Sequence, residues 1–125
     1  MGLKVYKCNH CGNVLMVMKD GGVVPVCCGE SMTELKVNTV DGVGEKHVPV
    51  VERDGERVVV RVGAVPHPMT AEHYIEWIVV VAGGQVLTAY LGPEDSPEAE
   101  FRLADLEGDV VAYAYCNLHG LWVEG

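Results

Sequence analysis

Four of the five cysteines fall within the first 28 residues, as Cys8-x-x-Cys11 and, after residues 12–26, the adjacent pair Cys27-Cys28. No other feature restricts the folding of the chain so strongly. The segment around them, residues 1–37, is too short to bury a core that offsets its chain entropy, so it needs a staple. Short extended pieces (Val5–Lys7, Val14–Met18, Val23–Val26 and Glu34–Val37) alternate with Cys-x-x-Cys-Gly, Asp20-Gly21-Gly22 and Cys-Cys-Gly turns. Two residues between thiols let a turn aim both sulfurs at one ion, and the following Gly permits close backbone approach. Four sulfurs in one small unit predict a tetrahedral site for zinc or iron. Spacing alone leaves the two metals level. The adjacent pair favours a single iron with a distorted angle, because neighbours in extended chain point to opposite faces and both reach one ion only through a bent turn. Such an iron carries one electron at a time, whereas zinc has no redox chemistry. His10, inside the first knuckle, is expected to face solvent, since four thiolates already complete the site.

Residues 38–44, within Asn38–Glu45 ("NTVDGVGE"), read as a Gly-containing linker, and residues 45–125 as a second domain. Seven strands are expected there: His47–Glu52, Val58–Val62, Tyr74–Val81, Gln85–Leu91, Ala99–Leu103, Asp109–Tyr115 and Leu121–Glu124. Asp54-Gly55, Gly83-Gly84 and Gly92-Pro93 punctuate them, and the spacing suggests an antiparallel sandwich. Valine-rich composition with a single Phe agrees with β-structure. The acidic stretch Gly92–Glu100 is expected to be mainly a solvated loop.

The net charge of -9, with only nine Lys and Arg, argues against nucleic acid as a partner. No apolar run is long enough to cross a bilayer, and no secretory signal is legible. An odd number of cysteines without such a signal leads us to expect a reducing, cytoplasmic setting in which thiols hold metal.

The fifth cysteine stands apart, in "CNLHG" (Cys116–Gly120), with His119 three positions on. His47, His67 and His73 lie in the same second domain. Four imidazoles and one unpaired thiol within about 80 residues point to a second metal site. Pro66 and Pro68 fix the backbone around His67, so a ligand there loses little entropy on binding. Neutral imidazoles suit zinc, copper, iron and nickel, and a thiolate favours softer ions. A blue-copper site would use two histidines and a weak axial Met, yet no Met follows Met69 and two further imidazoles remain. Five protein ligands suit a five-coordinate iron with one open position, the mark of a site meant to react.

The stretches "YKCNHCGN", "VCCGE", "EKHVPV", "VGAVPHPM", "HYIEWI", "AEF" and "YCNLHG", in this order, make the chain resemble the desulfoferrodoxins, the two-iron class of superoxide reductases, over nearly its full length. The resemblance implies a mainly β protein: a small desulforedoxin/rubredoxin-like domain followed by an immunoglobulin-like, seven-stranded antiparallel β-sandwich. It implies two iron ions per chain, one Fe(Cys)4 held by Cys8, Cys11, Cys27 and Cys28, and one Fe(His)4(Cys). In the second, His47, His67, His73 and His119 would lie in a plane with Cys116 axial and the sixth position open. It further implies a homodimer that reduces superoxide to hydrogen peroxide, with rubredoxin or a similar protein as electron donor. On sequence alone, Glu45 and Lys46 would be solvated connector residues. The resemblance gives them catalytic roles, Lys46 attracting the anion and aiding protonation, and Glu45 occupying the sixth position of the ferric form. Alternation would put Lys46 and His47 on opposite faces of a strand, so these roles require a loop there. The competing readings are an electron-transfer or metal-sensing protein without turnover and a structural zinc protein.

Overall fold

A computed structural model describes residues 2–38, 46–103 and 108–124. Every regular element among them is a strand. They divide into two compact units, Met1–Lys36 and Val37–Gly125; the expected linker, Asn38 apart, lies outside the described residues.

In the first unit, β1 (Val5–Lys7) runs antiparallel between β2 (Val14–Met16) and β5 (Thr33–Glu34). A separate hairpin pairs β3 (Val26–Cys27) with β4 (Glu30–Ser31). Its two-residue loop is Cys28-Gly29, and both residues have positive φ, 53° and 76°. That is the backbone of a type I′ turn, whose twist matches a hairpin. Gly29 adopts it without strain, whereas Cys28 is the one non-glycine with positive φ among the described residues. Here is the bent turn that the adjacent cysteines demanded. The strand expected over Val23–Val26 begins only at Val26; Val23 and Val24 are exposed and give no apolar face for pairing to bury. The buried apolar side chains of the unit are Val5, Tyr6, Cys8 and Met32, with Val17 and Cys27 packed against the last three. So few side chains cannot offset the ordering of some 36 residues, so a staple is still required.

The second unit is a sandwich of two sheets. One contains β7 (Pro49–Asp54), β8 (Arg57–Val62) and β11 (Glu98–Arg102) in the order β11-β8-β7. The other contains β9 (Ile75–Ala82), β10 (Gln85–Tyr90), β12 (Val111–Cys116), β13 (Gly120–Val123) and the short β6 (Val37–Asn38), in the order β10-β9-β12-β13-β6. All seven expected strands are present. The addition is β6, which pairs parallel with β13, while Asn38 Nδ2 donates to the Leu121 carbonyl at 3.2 Å. A two-residue strand ending in Asn has no alternation to read. The strand expected from His47 begins at Pro49, leaving Lys46 and His47 in irregular chain.

Alternate residues of the facing strands fill the interior: Val58, Val60 and Val62 from β8, Ile78, Val80 and Ala82 from β9, Ala112, Ala114 and Cys116 from β12, with Phe101 from β11. Period-two burial is what fixes the register, since a one-residue slip would turn this set outward. At one end, Gly83-Gly84 (φ 53° and 79°) closes the β9–β10 hairpin. At the other, β8, β10 and β12 finish while β7, β9, β11 and β13 begin.

Ile78 is fully buried in this interior. Ile78→Ala is expected to cost the second unit about 2–5 kcal/mol, as lost burial plus a residual cavity, seen as a lower urea midpoint with an unchanged m-value.

Candidate metal centres

The four sulfurs of Cys8, Cys11, Cys27 and Cys28 lie within 4.8 Å of one another. The Cys11–Cys27 separation is 3.6 Å and Cys27–Cys28 is 4.0 Å. A tetrahedral ion with bonds of about 2.3 Å places its sulfurs about 3.8 Å apart, so the cluster has the right dimensions. The first knuckle is closed by Gly12 N donating to the Cys8 carbonyl (3.0 Å) and Cys8 N to the Asn13 carbonyl (2.8 Å). Backbone N–H groups of Cys11 and His10 hold the Cys8 thiol down to about 6. Hydrogen bonding to Cys11, Cys8 and Cys27 pushes the Cys28 thiol up to about 12. One sulfur ionises readily and the last holds its proton, which it shares in hydrogen bonds with its sulfur neighbours. A bound cation takes the place of that proton. His10 is exposed and pairs with Glu30 at 3.0 Å, so it stands outside the sulfur cluster as expected.

The second cluster sits at the end of the sandwich where β8 and β12 finish and β7, β9 and β13 begin. His47 precedes β7, His67 and His73 lie in the β8–β9 connection, Cys116 ends β12, and His119 is in the β12–β13 turn. One donor atom from each of the five lies within 4.8 Å of the others. Going round the imidazoles, ring centroids are 4.8 Å (His47–His67), 4.7 Å (His67–His73), 5.0 Å (His73–His119) and 4.8 Å (His119–His47). The His47–His73 diagonal is 6.4 Å, and neighbouring planes stand 71–83° apart. The rings thus form a near-square with Cys116 beside them, its Sγ 3.8 Å from His119 Nδ1.

Hydrogen bonding shows which nitrogens face inward. His67 Nδ1–H donates to the Pro68 carbonyl at 2.7 Å, so Nε2 carries the lone pair. His67 Nε2 and His73 Nε2 are buried without a hydrogen-bond partner. His47 Nε2 and His119 Nδ1 approach to 3.0 Å. Two buried ring nitrogens left without partners beside one another are costly unless something bonds to them there. The residues therefore fit a cation. Burial pushes His67 down to about 4, with the Pro68 bond opposing, and burial lowers His73 too, helped by the charges of His119, His47 and Lys46. Both rings are neutral ligands near pH 7. Cys116 is raised by burial, against backbone N–H groups of Leu118 and His119 that favour its thiolate; a cation would favour the thiolate further.

Several supporting groups escaped the sequence reading. Trp122 stacks on His47 (centroids 4.6 Å, 19° between planes), and its Nε1–H donates to the His119 carbonyl at 3.1 Å. Thr70 brackets His73: its N–H donates to the His73 carbonyl at 3.0 Å, and the His73 N–H meets the Thr70 carbonyl and Oγ1, both at 3.2 Å. Asn117 spans the His73 segment and the Cys116 turn. The only sequence signal for Asn117 and Trp122 is their nearness to Cys116 and His119. Lys46 is half-buried beside His47, whereas Glu45 lies outside the described residues.

Comparison with known proteins agrees with this geometry. Residues 39–125 match the family described as Desulfoferrodoxin, and residues 2–35 match Desulfoferrodoxin, N-terminal domain. The chain is 52% identical to a desulfoferrodoxin of Nitratidesulfovibrio vulgaris over 120 residues, covering 95% of this chain and 93% of that one. It is 50% identical to a desulfoferrodoxin homolog of Archaeoglobus fulgidus over 123 residues, 98% and 97% of the two chains. The superoxide reductase from Treponema pallidum superposes with a TM-score of 0.82 at 35% identity, covering 99% of this chain and 98% of that one. The two clusters fit the two iron centres of a desulfoferrodoxin. With both family domains matched in order and relatives at half identity along almost the whole length, the chain belongs to the desulfoferrodoxin family.

Proposed function

We propose that the protein is a superoxide reductase. The observation that carries this reading is the convergence of five possible donor atoms, four imidazole nitrogens and one sulfur, within 4.8 Å of one another. Cys8, Cys11, Cys27 and Cys28 hold one iron, and His47, His67, His73, His119 and Cys116 the other. The reaction, O2•− + e− + 2H+ → H2O2, consumes one electron and two protons and releases no dioxygen. Iron held by the histidine-rich cluster would supply that electron.

The protein's own groups do the rest. His67 and His73 are kept neutral by burial and so compete for metal rather than for protons. Cys116 is the soft, electron-donating ligand of an otherwise all-imidazole set. A chain of charge -9 repels an anion at long range, and a local cation must counter this. Lys46 is that cation: it lies beside His47, and its charge is felt at His73. Glu45 is the carboxylate that would occupy the sixth position of the ferric form. A rubredoxin-like protein returns the electron, and the molecule works as a homodimer in the cytoplasm. Exposed Leu15, Met18, Val23, Val24 and Val26 give the first unit an apolar surface suited to a second copy. All five cysteines are unpaired, as in a reducing compartment. Among the described residues no helix is long and apolar enough to cross a membrane.

Purified protein should contain two irons per chain. After reduction, superoxide should oxidise the histidine-rich site at about 10⁸–10⁹ M⁻¹ s⁻¹, near the diffusional ceiling. Cys116→Ser should abolish that reaction while preserving the colour of the four-thiol site. Zinc at both sites, or oxidation slow enough to suit only an electron carrier, contradicts the reading. Lys46→Ala should slow the encounter by about tenfold at low ionic strength and flatten its salt dependence; an unchanged rate removes Lys46 from the mechanism. The depressed value of His67 sets a pH dependence. Its neutral form favours the folded state fully above about pH 6.5, its ordinary value. That contribution is lost as pH falls through about 4. The urea midpoint of metal-free protein should therefore drop between pH 6.5 and 4, and drop less in His67→Asn.

A further inference from the structure

Asn117 lies between Cys116 and His119 in sequence, yet both polar atoms of its side chain are bonded to backbone outside that turn. It turns instead to the segment that carries His73. Its Nδ2 donates to the Glu72 carbonyl at 3.0 Å, and its Oδ1 accepts the Tyr74 N–H at 3.0 Å. Its backbone N–H donates to the Tyr74 carbonyl at 3.2 Å. One residue thus satisfies backbone groups on both sides of His73.

The position of this contact in the ladder gives it meaning. The β9–β12 pairing shifts register between Tyr115 and Cys116, with Tyr115 opposite Trp77 but Cys116 opposite Ile75. Beyond that irregularity the regular ladder stops. A side-chain amide has the donor and acceptor of a peptide group, so Asn117 extends the pairing by one further step after the strands have ended. Without that side chain, the hydrogen bonds left at the His73 segment are the Asn117 backbone N–H to the Tyr74 carbonyl and those of Thr70, which belongs to the same connection and moves with it.

We propose that Asn117 is a positioning residue for the histidine-rich centre, locking His73 at a fixed spacing from Cys116 and His119 before metal arrives and so governing how slowly metal leaves. This rests on reading the cluster as a metal centre. Ligands held in place lose less freedom on binding, and the partners that orient them typically carry 10–100-fold in metal affinity.

The test uses full-length protein loaded with two irons and challenged with excess EDTA, each site being followed by its own absorption. Asn117→Ala should release iron from the histidine-rich site about 10–100-fold faster, with a shifted or broadened absorption band there. Release from the four-thiol site should not change, which separates a local effect from general destabilisation. Asn117→Asp keeps the acceptor for Tyr74 but loses the donor to Glu72, and should fall between Asn117→Ala and wild type; it also serves where the alanine variant folds poorly. Release within twofold of wild type for both variants, or equal acceleration at both sites, would overturn the proposal. Wild-type protein that takes up iron only at the four thiols would overturn the underlying metal-centre reading as well, and the iron count distinguishes that result from a failure of Asn117 alone.

Discussion

The second unit is organised around two buried ring nitrogens with no partner. His67 Nε2 and His73 Nε2 are buried and unpartnered, and His67 is fixed in that tautomer by its own Nδ1–H bond to Pro68. Leaving such atoms unsatisfied costs on the order of 1–3 kcal/mol each. A fold tolerates this where a ligand recovers the loss. The hydrophobic interior of the sandwich supplies the rigidity, reaching to Cys116, which is at once a core residue and a donor. The cluster is therefore continuous with the packed core and not an appendage on a loop.

The two units depend on metal for different reasons. The first has few buried side chains, a hairpin with Cys28 in left-handed backbone, and a Cys28 thiol that its sulfur neighbours hold protonated. Its cation is part of the folding free energy. The second has a full interior drawn from two sheets, and its cluster lies at one end. There the metal completes a site that packing has already shaped. A one-electron centre benefits from this, because a rigid donor set changes little when the metal changes charge.

How much of this is legible in sequence follows from the range over which each signal acts. Cys8, Cys11, Cys27 and Cys28 are close along the chain, and their grouping is readable from spacing. Even the turn at Cys28-Gly29 follows from asking how adjacent side chains reach one point. The seven strands are readable because the valine-rich alternation and Gly-Gly or Asp-Gly turns are local. Chemistry names the five second-site residues, but their nearness is non-local: His47 and His119 are 72 residues apart and touch only because β7 and β13 begin at the same sandwich end. The short strand Val37–Asn38 carries no pattern, since its pairing is decided by β13 and not by its own two residues.

Asn117 and Trp122 show why supporting groups are the hardest to read. Neither belongs to a residue type that chemistry alone would select for a metal site. Asn117 acts through backbone groups of residues 72 and 74, which any sequence would supply. Trp122 acts through the face of His47 and the carbonyl of His119. Both sit on the segment that carries two donors, and both reach across to a donor from a distant part of the chain. The turn "CNLHG" and the tryptophan just beyond it thus do two jobs at once. Cys116 and His119 present donors, while Asn117 and Trp122 grip the segments bearing His73 and His47. A single stretch of seven residues ties four of the five donors to one rigid edge of the sandwich.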